Sequence, residues 1–239
     1  MKNPLQSTPN LGQKAIAELV GTFLFVFVGA GSAVALGYLA NAGSNQGLIV
    51  TALANGLGLG IGITATMSIS GGSLNPAVTI GLLVARKLSI AHAIVYIISE
   101  VAGATIAGFL LISVLPQNTG NAVGWGAPAL SKVSVAQGIA LEAIMTFILV
   151  FTVFGTAVDS RAPKVGGFAI GLIVAADVMV GGPFTGAAMN PARAIGPEFA
   201  WAYFAGSGAL TNWYVWWVGP IIGGVIAAFI YGYVILRAN

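Results

Sequence analysis

The amino-acid sequence predicts an all-α membrane protein with six transmembrane helices and two half-length helices arranged as an inverted repeat. Three observations predict this fold class. The 239 residues are 57% hydrophobic and only 6% charged, whereas soluble domains carry about 25% charged residues. The apolar residues fall into six long stretches, and the tripeptide Asn-Pro-Ala occurs twice inside apolar sequence.

The composition also argues against several functions. The net charge of +3 is small and scattered, which argues against nucleic-acid binding. The chain has no cysteine and a single histidine, His92, so we expect no disulfide, no thiolate chemistry and no metal cluster. No nucleophile or phosphate loop stands out, so we expect no enzyme activity and no cofactor. Residues 1–13 do not have the pattern of a signal peptide.

The six apolar stretches account for the transmembrane helices, since a helix that crosses a bilayer needs about 20 apolar residues. The fifth stretch is short and is expected to extend a few residues. Two further helical stretches, 76–85 and 191–201, are half as long. Ten helical residues reach about 15 Å, half of a hydrocarbon core of about 30 Å, so two such half-helices from opposite faces would meet at the midplane. The six long stretches are residues 15–38, 48–67, 90–115, 135–158, 166–180 and 213–236.

The two Asn-Pro-Ala copies mark the starts of the half-helices. They are Asn75-Pro76-Ala77 and Asn190-Pro191-Ala192, with 115 residues between equivalent positions. Asparagine is a favoured N-cap because its side-chain oxygen accepts a backbone N–H of the first turn. Proline suits the first helical position, where no N–H is needed. Each copy therefore predicts a helix with an asparagine amide at its N-terminus.

The chain repeats itself in the same order. The segment around Glu18 resembles the segment around Glu142, and each half reads span, span, half-helix, span. We expect one channel domain over residues 1–239, with repeats at about 14–115 and 133–236. Because each half has an odd number of spans, the second half must be inverted. Inverted repeats with broken helices are found in membrane transport proteins.

The basic residues predict the orientation. If the N-terminus is cytoplasmic, seven of the nine basic residues fall on the cytoplasmic side, which is the positive-inside pattern. Both termini are then cytoplasmic, and Lys132 and Arg193 are the two exceptions. The seven residues are Lys2, Lys14, Arg86, Lys87, Arg161, Lys164 and Arg237.

These residues together resemble the aquaporins, the major intrinsic protein family, over nearly the whole chain. The resemblance implies an aquaporin-like right-handed bundle, a homotetramer with one pore per subunit and a place in the plasma or inner cell membrane. It also implies that Glu18 and Glu142 are buried structural carboxylates that hold the loops before the half-helices. It rests on the two tripeptides, on Ser70-Gly71-Gly72 before the first, on Arg193 after the second, and on Glu18 and Glu142.

The residues themselves predict a passive channel for water and small uncharged solutes. Each helix N-terminus carries roughly half a positive charge, so two that meet at the midplane repel cations and hydronium. The amides of Asn75 and Asn190 can donate to a passing oxygen. A water that accepts from both cannot also accept from its neighbour, which interrupts proton hopping. Selectivity of this type depends on diameter, lining donors and electrostatic barriers.

Four residues are expected to form a selectivity filter. By resemblance Arg193 is its arginine, and spacing from the tripeptides adds Asn55, Val178 and Ala187. Strict water channels usually carry Phe and His at the first two of these places, so this filter is expected to be wider. Glycerol, urea, ammonia and undissociated metalloid acids would then fit. Other positions argue for a water channel instead. Ala194 stands where glycerol facilitators typically have Asp, and Trp216-Trp217 resembles the aromatic pair of water channels.

Asp177 is a further candidate, since an acidic residue inside a membrane is by default a functional hypothesis. It adjoins Val178, and a one-residue shift in the fifth span would exchange the two. If Asp177 faced the pore, it would neutralise part of the charge of Arg193.

The alternatives differ in cargo and class. The first alternative is a channel mainly for a small neutral solute, with water incidental. A secondary transporter with a midplane site and alternating access is another, although no cage for a coupling ion is evident. An adhesion or structural membrane protein is disfavoured because it has no use for Arg193 in a filter.

Overall fold

A computed structural model of the protein describes residues 8–40, 43–163, 165–205 and 210–236. Within these residues the secondary structure is entirely helical, and six helices are long and apolar enough to cross a membrane. The predicted fold class is therefore confirmed. Three of the basic residues used to predict orientation, Lys2, Lys164 and Arg237, lie outside the described residues.

Nine α-helices follow one another within the described part of the chain. The fifth predicted span extends to Thr185, through Pro183. Single π-helical turns continue the sixth helix over Phe154–Val158 and the ninth over Ile230–Ile235, and a short 3₁₀ turn covers Gly124–Gly126. The helices are α1 (Leu11–Tyr38), α2 (Asn45–Thr66), α3 (Pro76–Val84), α4 (Ile90–Val114), α5 (Gln117–Ala122), α6 (Val135–Val153), α7 (Gly166–Thr185), α8 (Pro191–Ala205) and α9 (Val215–Phe229).

Polar caps start the spanning helices at the ends of the apolar runs. The side chain of Asn10 accepts the Gln13 N–H, and that of Ser134 accepts the Gln137 N–H. In both cases the glutamine side chain accepts the N–H of the cap residue, which completes a capping box. The Ser44 side chain caps α2 by accepting the Gly47 N–H, and the Ser89 side chain caps α4 by accepting the His92 N–H. These caps fix where α1, α2, α4 and α6 begin, whereas α7 and α9 start without a side-chain cap.

Glycines allow the helices to approach closely in equivalent pairs. Helix α1 packs along α4 and α6 packs along α9. A Cβ added at Gly103 would overlap the carbonyl oxygen of Leu19, and one added at Gly223 would overlap the carbonyl oxygen of Ala143. Small residues at such contacts are typical of membrane helices. The two halves of the chain therefore use the same contact.

The distribution of polarity is that of a membrane protein. Large apolar side chains such as Leu57, Ile61 and Phe168 are exposed on the outside. The charged side chains in the interior are each at most 5% exposed: Glu18, Glu100, Glu142, Asp177, Arg193 and Glu198. The outer surface thus suits lipid, and the polar groups of the spans are collected inside.

The loop after α6 is tied to the end of the chain's last span. Asp159 forms an ion pair with Arg161 at 2.7 Å. The hydrogen bond from the Arg161 guanidinium holds the pKa of the Asp159 carboxyl below its usual range. The hydroxyl of Tyr231 also donates to Asp159, at 3.4 Å. One carboxylate therefore joins the loop to the π-helical turn that follows α9.

The Gly103 contact can be tested by substitution. We expect Gly103→Ala to lower stability by about 1–3 kcal/mol, because the new methyl group meets backbone that cannot move aside. The matched control is Gly155→Ala, whose Cβ would lie 3.4 Å from the Tyr231 ring, an ordinary contact. Thermal unfolding in detergent measures both variants, and equal unfolding temperatures would contradict the expected result.

Candidate functional site: the junction of the two half-helices

The N-termini of α3 and α8 meet inside the bundle and are joined by their asparagines. The side-chain oxygen of Asn75 accepts the Ala77 N–H at 2.9 Å. Its side-chain nitrogen donates to the carbonyl of Met189, in the other half, at 2.9 Å. Asn190 reciprocates, since its nitrogen donates to the Leu74 carbonyl at 2.8 Å. Each amide carries two N–H donors, so one remains on each asparagine after this cross-link.

The residue before each asparagine has an unusual backbone conformation. Leu74 and Met189 both have a φ of 50°, a left-handed value that is uncommon for residues other than glycine. Such turns place backbone N–H groups inside the membrane, where each must find a protein acceptor.

Buried carboxylates supply these acceptors. Glu18 accepts the N–H groups of Ser73 at 3.1 Å and Leu74 at 2.7 Å. Glu142 accepts those of Ala188 at 3.0 Å and Met189 at 2.7 Å. Both carboxylates are fully buried. Each one satisfies the two residues that lead into the asparagine of its own half.

A second layer of contacts repeats in both halves. The Tyr96 hydroxyl donates to the Ser70 carbonyl at 2.7 Å, and the Trp216 indole donates to the Thr185 carbonyl at 2.9 Å. Ser70 and Thr185 in turn accept the N–H two residues further on, through their hydroxyl oxygens. From the sequence, Ser70 and Trp216 were named only as part of the resemblance, Tyr96 and Thr185 were missed, and none of these contacts was predicted. The repeat offset could have found Ser70 and Thr185, because they stand 115 residues apart, like the two asparagines.

Glu100 breaks the symmetry. Its Oε1 accepts the hydroxyl of Thr79 on α3 at 2.7 Å. Its Oε2 is buried and has no hydrogen-bond partner among the described residues. The hydrogen bond to Thr79 joins α4 to α3.

Two cavities open at opposite ends of α2. The Arg193 cavity, of about 400 Å³, is lined by Leu48 and Thr51 from the first part of α2 and by Val178 and Arg193. The Asn75 cavity, of about 330 Å³, is lined by residues of the last part of α2 and of both halves, including Leu59, Ile63, Ser73, Asn75, Val78, Lys87, Tyr96 and Ile170. The asparagine junction lies between them.

The structure places the four filter candidates as follows. Val178 and Arg193 line the Arg193 cavity, whereas Asn55 and Ala187 are not among its lining residues. Asn55 is 3% exposed and lies on the same face of α2 as Thr51 and Leu59, between the two cavities. Its amide nitrogen donates to the Thr51 carbonyl at 2.9 Å. Ala187 is buried and has a φ of 45°.

Arg193 and Asp177 differ in their surroundings. The backbone N–H of Arg193 donates to the side-chain oxygen of Asn190 at 3.1 Å, and its Nη1 has no protein partner among the described residues. The acidic groups whose charges act on Arg193 are Glu142 and Glu198. Asp177 is buried, lines neither cavity and has one oxygen without a described partner.

Comparisons with known proteins identify the class. The model of the family "Major intrinsic protein" matches residues 5–231. "Aquaporin TIP2-1" of Zea mays is 42% identical over 229 residues, 94% of this chain and 88% of that protein. "Probable aquaporin TIP3-2" of Arabidopsis thaliana is 41% identical over 95% of this chain and 85% of that protein. The X-ray structure of the aquaglyceroporin from Plasmodium falciparum superposes with a TM-score of 0.86 at 25% identity, covering 95% and 97% of the two chains.

The fold and the junction thus define an integral, multi-pass membrane channel. The chain belongs to the major intrinsic protein family. Aquaporins of this family are passive channels and not enzymes, so the chain is assigned to transport.

The carboxylate support can be tested with Glu142→Gln. Both oxygens of Glu142 accept hydrogen bonds, so the NH₂ of glutamine must face an N–H or O–H donor and leave it unpaired. We expect a loss of about 1–3 kcal/mol of stability. Glu198→Gln is the control, because neither oxygen of Glu198 has a described partner. Thermal unfolding in detergent compares the two, and a larger loss for the control would refute this role of Glu142.

Proposed function

We propose that the protein is a passive channel for water and small uncharged solutes, and that it excludes protons and ions. The observation that supports this most is the junction of Asn75 and Asn190 between two cavities. We assign the midplane of the pore to both tripeptides, from Asn75 to Ala77 and from Asn190 to Ala192. The channel is a single domain over residues 1–239, with repeats at about 14–115 and 133–236 that contain the half-helices α3 and α8 respectively.

Exclusion of cations follows from the charges at the junction. Two helix N-termini each contribute roughly half a positive charge, and Arg193 adds a full one. The second N–H of each asparagine is available to a passing water, because the first is used by the opposite loop. A water that accepts from both has its lone pairs occupied and cannot pass a proton along the file.

The filter that we propose is Asn55, Val178, Ala187 and Arg193. Asn55 and Val178 are smaller than the Phe and His that strict water channels carry at these two places, and Ala187 is small, so the aperture admits solutes larger than water. Asp177 contributes no charge to the pore in this proposal, in keeping with its place outside both cavities. Glu18 and Glu142 have the structural role described above.

A second candidate function is a channel mainly for one small neutral solute, with water incidental. The small filter residues favour it, and glycerol, urea, ammonia or an undissociated metalloid acid would be the cargo. The likeness to an aquaglyceroporin structure is in keeping with it. Against it stand Ala194 and the Trp216-Trp217 pair.

Assembly and orientation are part of the proposal. The family resemblance supports a homotetramer, which native mass spectrometry of the purified protein would test. The basic residues support cytoplasmic termini. We place the channel in a plasma or inner cell membrane. Protease protection of tagged termini in sealed vesicles would test that orientation.

Stopped-flow light scattering on the protein in liposomes tests the function. An impermeant osmolyte should cause fast shrinkage, and glycerol should cause fast shrinkage followed by fast re-swelling. Absence of re-swelling in glycerol would contradict the wide filter and leave a water-selective pore. Flux that saturates or depends on an ion gradient would instead indicate a transporter.

A narrower filter should lower glycerol permeability more than water permeability. We expect Asn55→Phe combined with Val178→His to lower glycerol permeability by about tenfold, equivalent to about 1.4 kcal/mol of barrier. Water permeability should fall much less, because water is narrower. The control is Val180→Phe, a bulky residue on the exposed side of α7. An unchanged ratio of glycerol to water permeability in the double variant would argue against these filter positions.

A further inference from the structure

We propose that Gly29 on α1 is a positioning residue of the filter, because its missing side chain holds the Asn55 amide against α1 and so keeps the aperture wide. This inference rests on the proposed function, in which Asn55 is a filter residue. Gly29 itself lines neither of the two cavities. It acts through Asn55, as the contacts between the two residues indicate.

The Asn55 amide fills the place that a side chain at position 29 would take. A Cβ added to Gly29 would overlap Oδ1 of Asn55 and would lie 2.9 Å from its Cγ and 3.4 Å from its Nδ2. All three of these atoms belong to one planar group. Any residue other than glycine at position 29 must therefore displace the whole amide.

The amide is also held from its own helix. Its nitrogen donates to the Thr51 carbonyl at 2.9 Å, one turn earlier on α2. The helices are close here, since a Cβ at Gly58 would lie 3.3 Å from the Val28 Cβ. The amide therefore lies between α1 and the backbone of α2. A methyl group at position 29 would displace it from this place.

Displacement carries the amide away from α1, on the face of α2 that the cavities use. Asn55 lies on that face between Thr51, which lines the Arg193 cavity, and Leu59, which lines the Asn75 cavity. Movement away from α1 carries the amide towards the passage between the cavities. Gly29 thus keeps the passage open to solutes wider than water.

The experiment measures the ratio of glycerol to water permeability in liposomes that contain the full chain. A loss of folded protein lowers both permeabilities together and leaves the ratio unchanged, whereas a change of aperture moves the ratio. We expect Gly29→Ala to lower the ratio about fivefold, in the range of couplings between contacting residues. The matched control is Gly31→Ala on the same helix, whose Cβ would meet Leu111 Cδ2 at 3.1 Å and not Asn55. Its ratio should equal that of the unmodified protein.

A double variant separates this inference from the proposed function. In the Asn55→Ala background the amide is gone, so Gly29→Ala should no longer change the ratio. An equal decrease in both backgrounds would overturn the positioning role while leaving Asn55 in the filter. If Asn55→Ala itself leaves the ratio unchanged, the filter assignment fails and this inference fails with it.

Asn55→Gln provides a second test that leaves α1 intact, should Gly29→Ala not fold. The extra methylene carries the amide beyond the space at Gly29, so the ratio should again fall. A ratio equal to that of the unmodified protein would overturn the proposal.

Discussion

The structure depends on two buried carboxylates that satisfy backbone N–H groups where the chain cannot be helical. In a bilayer each unsatisfied N–H costs several kcal/mol, so an irregular loop at the midplane requires an internal acceptor. An ionised carboxylate suits this task because it only accepts and can take several hydrogen bonds. Glu18 and Glu142 each accept two successive N–H groups. The left-handed residues, the helix starts and the meeting of the asparagines all depend on these bonds.

The two halves share this scaffold and differ where the pore needs two unlike ends. Arg193 and Val78 occupy equivalent places, 115 residues apart, and each lines the cavity of its own half-helix. Asn55 likewise corresponds to Ile170, which lines the Asn75 cavity. One end of the passage therefore has an arginine and an amide where the other has two aliphatic side chains. The repeat supplies the shared scaffold, and the proposed filter lies where the two halves depart from it.

Much of the fold could be predicted from the sequence because its signals are local. Apolar runs longer than a bilayer predict spans, and Asn-Pro predicts a helix start wherever it folds. The end of α7 was harder to predict from the sequence. Pro183 would ordinarily suggest an earlier stop, yet the helix continues to Thr185, and Gly186 ends it with a φ of 77°. The left-handed glycine, and not the proline, therefore ends the helix.

The site was predictable only in part. Spacing and resemblance indicated which residues would gather at the junction, and the two asparagines and both glutamates do meet there. The resemblance indicated that Glu18 and Glu142 hold the loops before the half-helices. The other contacts at the junction could not be predicted, because a hydrogen bond between residues far apart in sequence leaves no local pattern. The contact of Gly29 with Asn55 is of this kind. A glycine in an apolar helix has many uses, and only the neighbouring helix shows which one applies.

The reciprocal asparagine bonds also constrain the order in which the protein can be assembled. Asn75 needs the carbonyl of Met189, which follows it by 114 residues. During synthesis the first half-helix therefore enters the membrane long before its partner exists. Until the second half arrives, the Asn75 amide and the Leu74 carbonyl have to be satisfied by water or by the insertion machinery. The pore can reach its final form only as a late, concerted step of biogenesis, after both halves are in place.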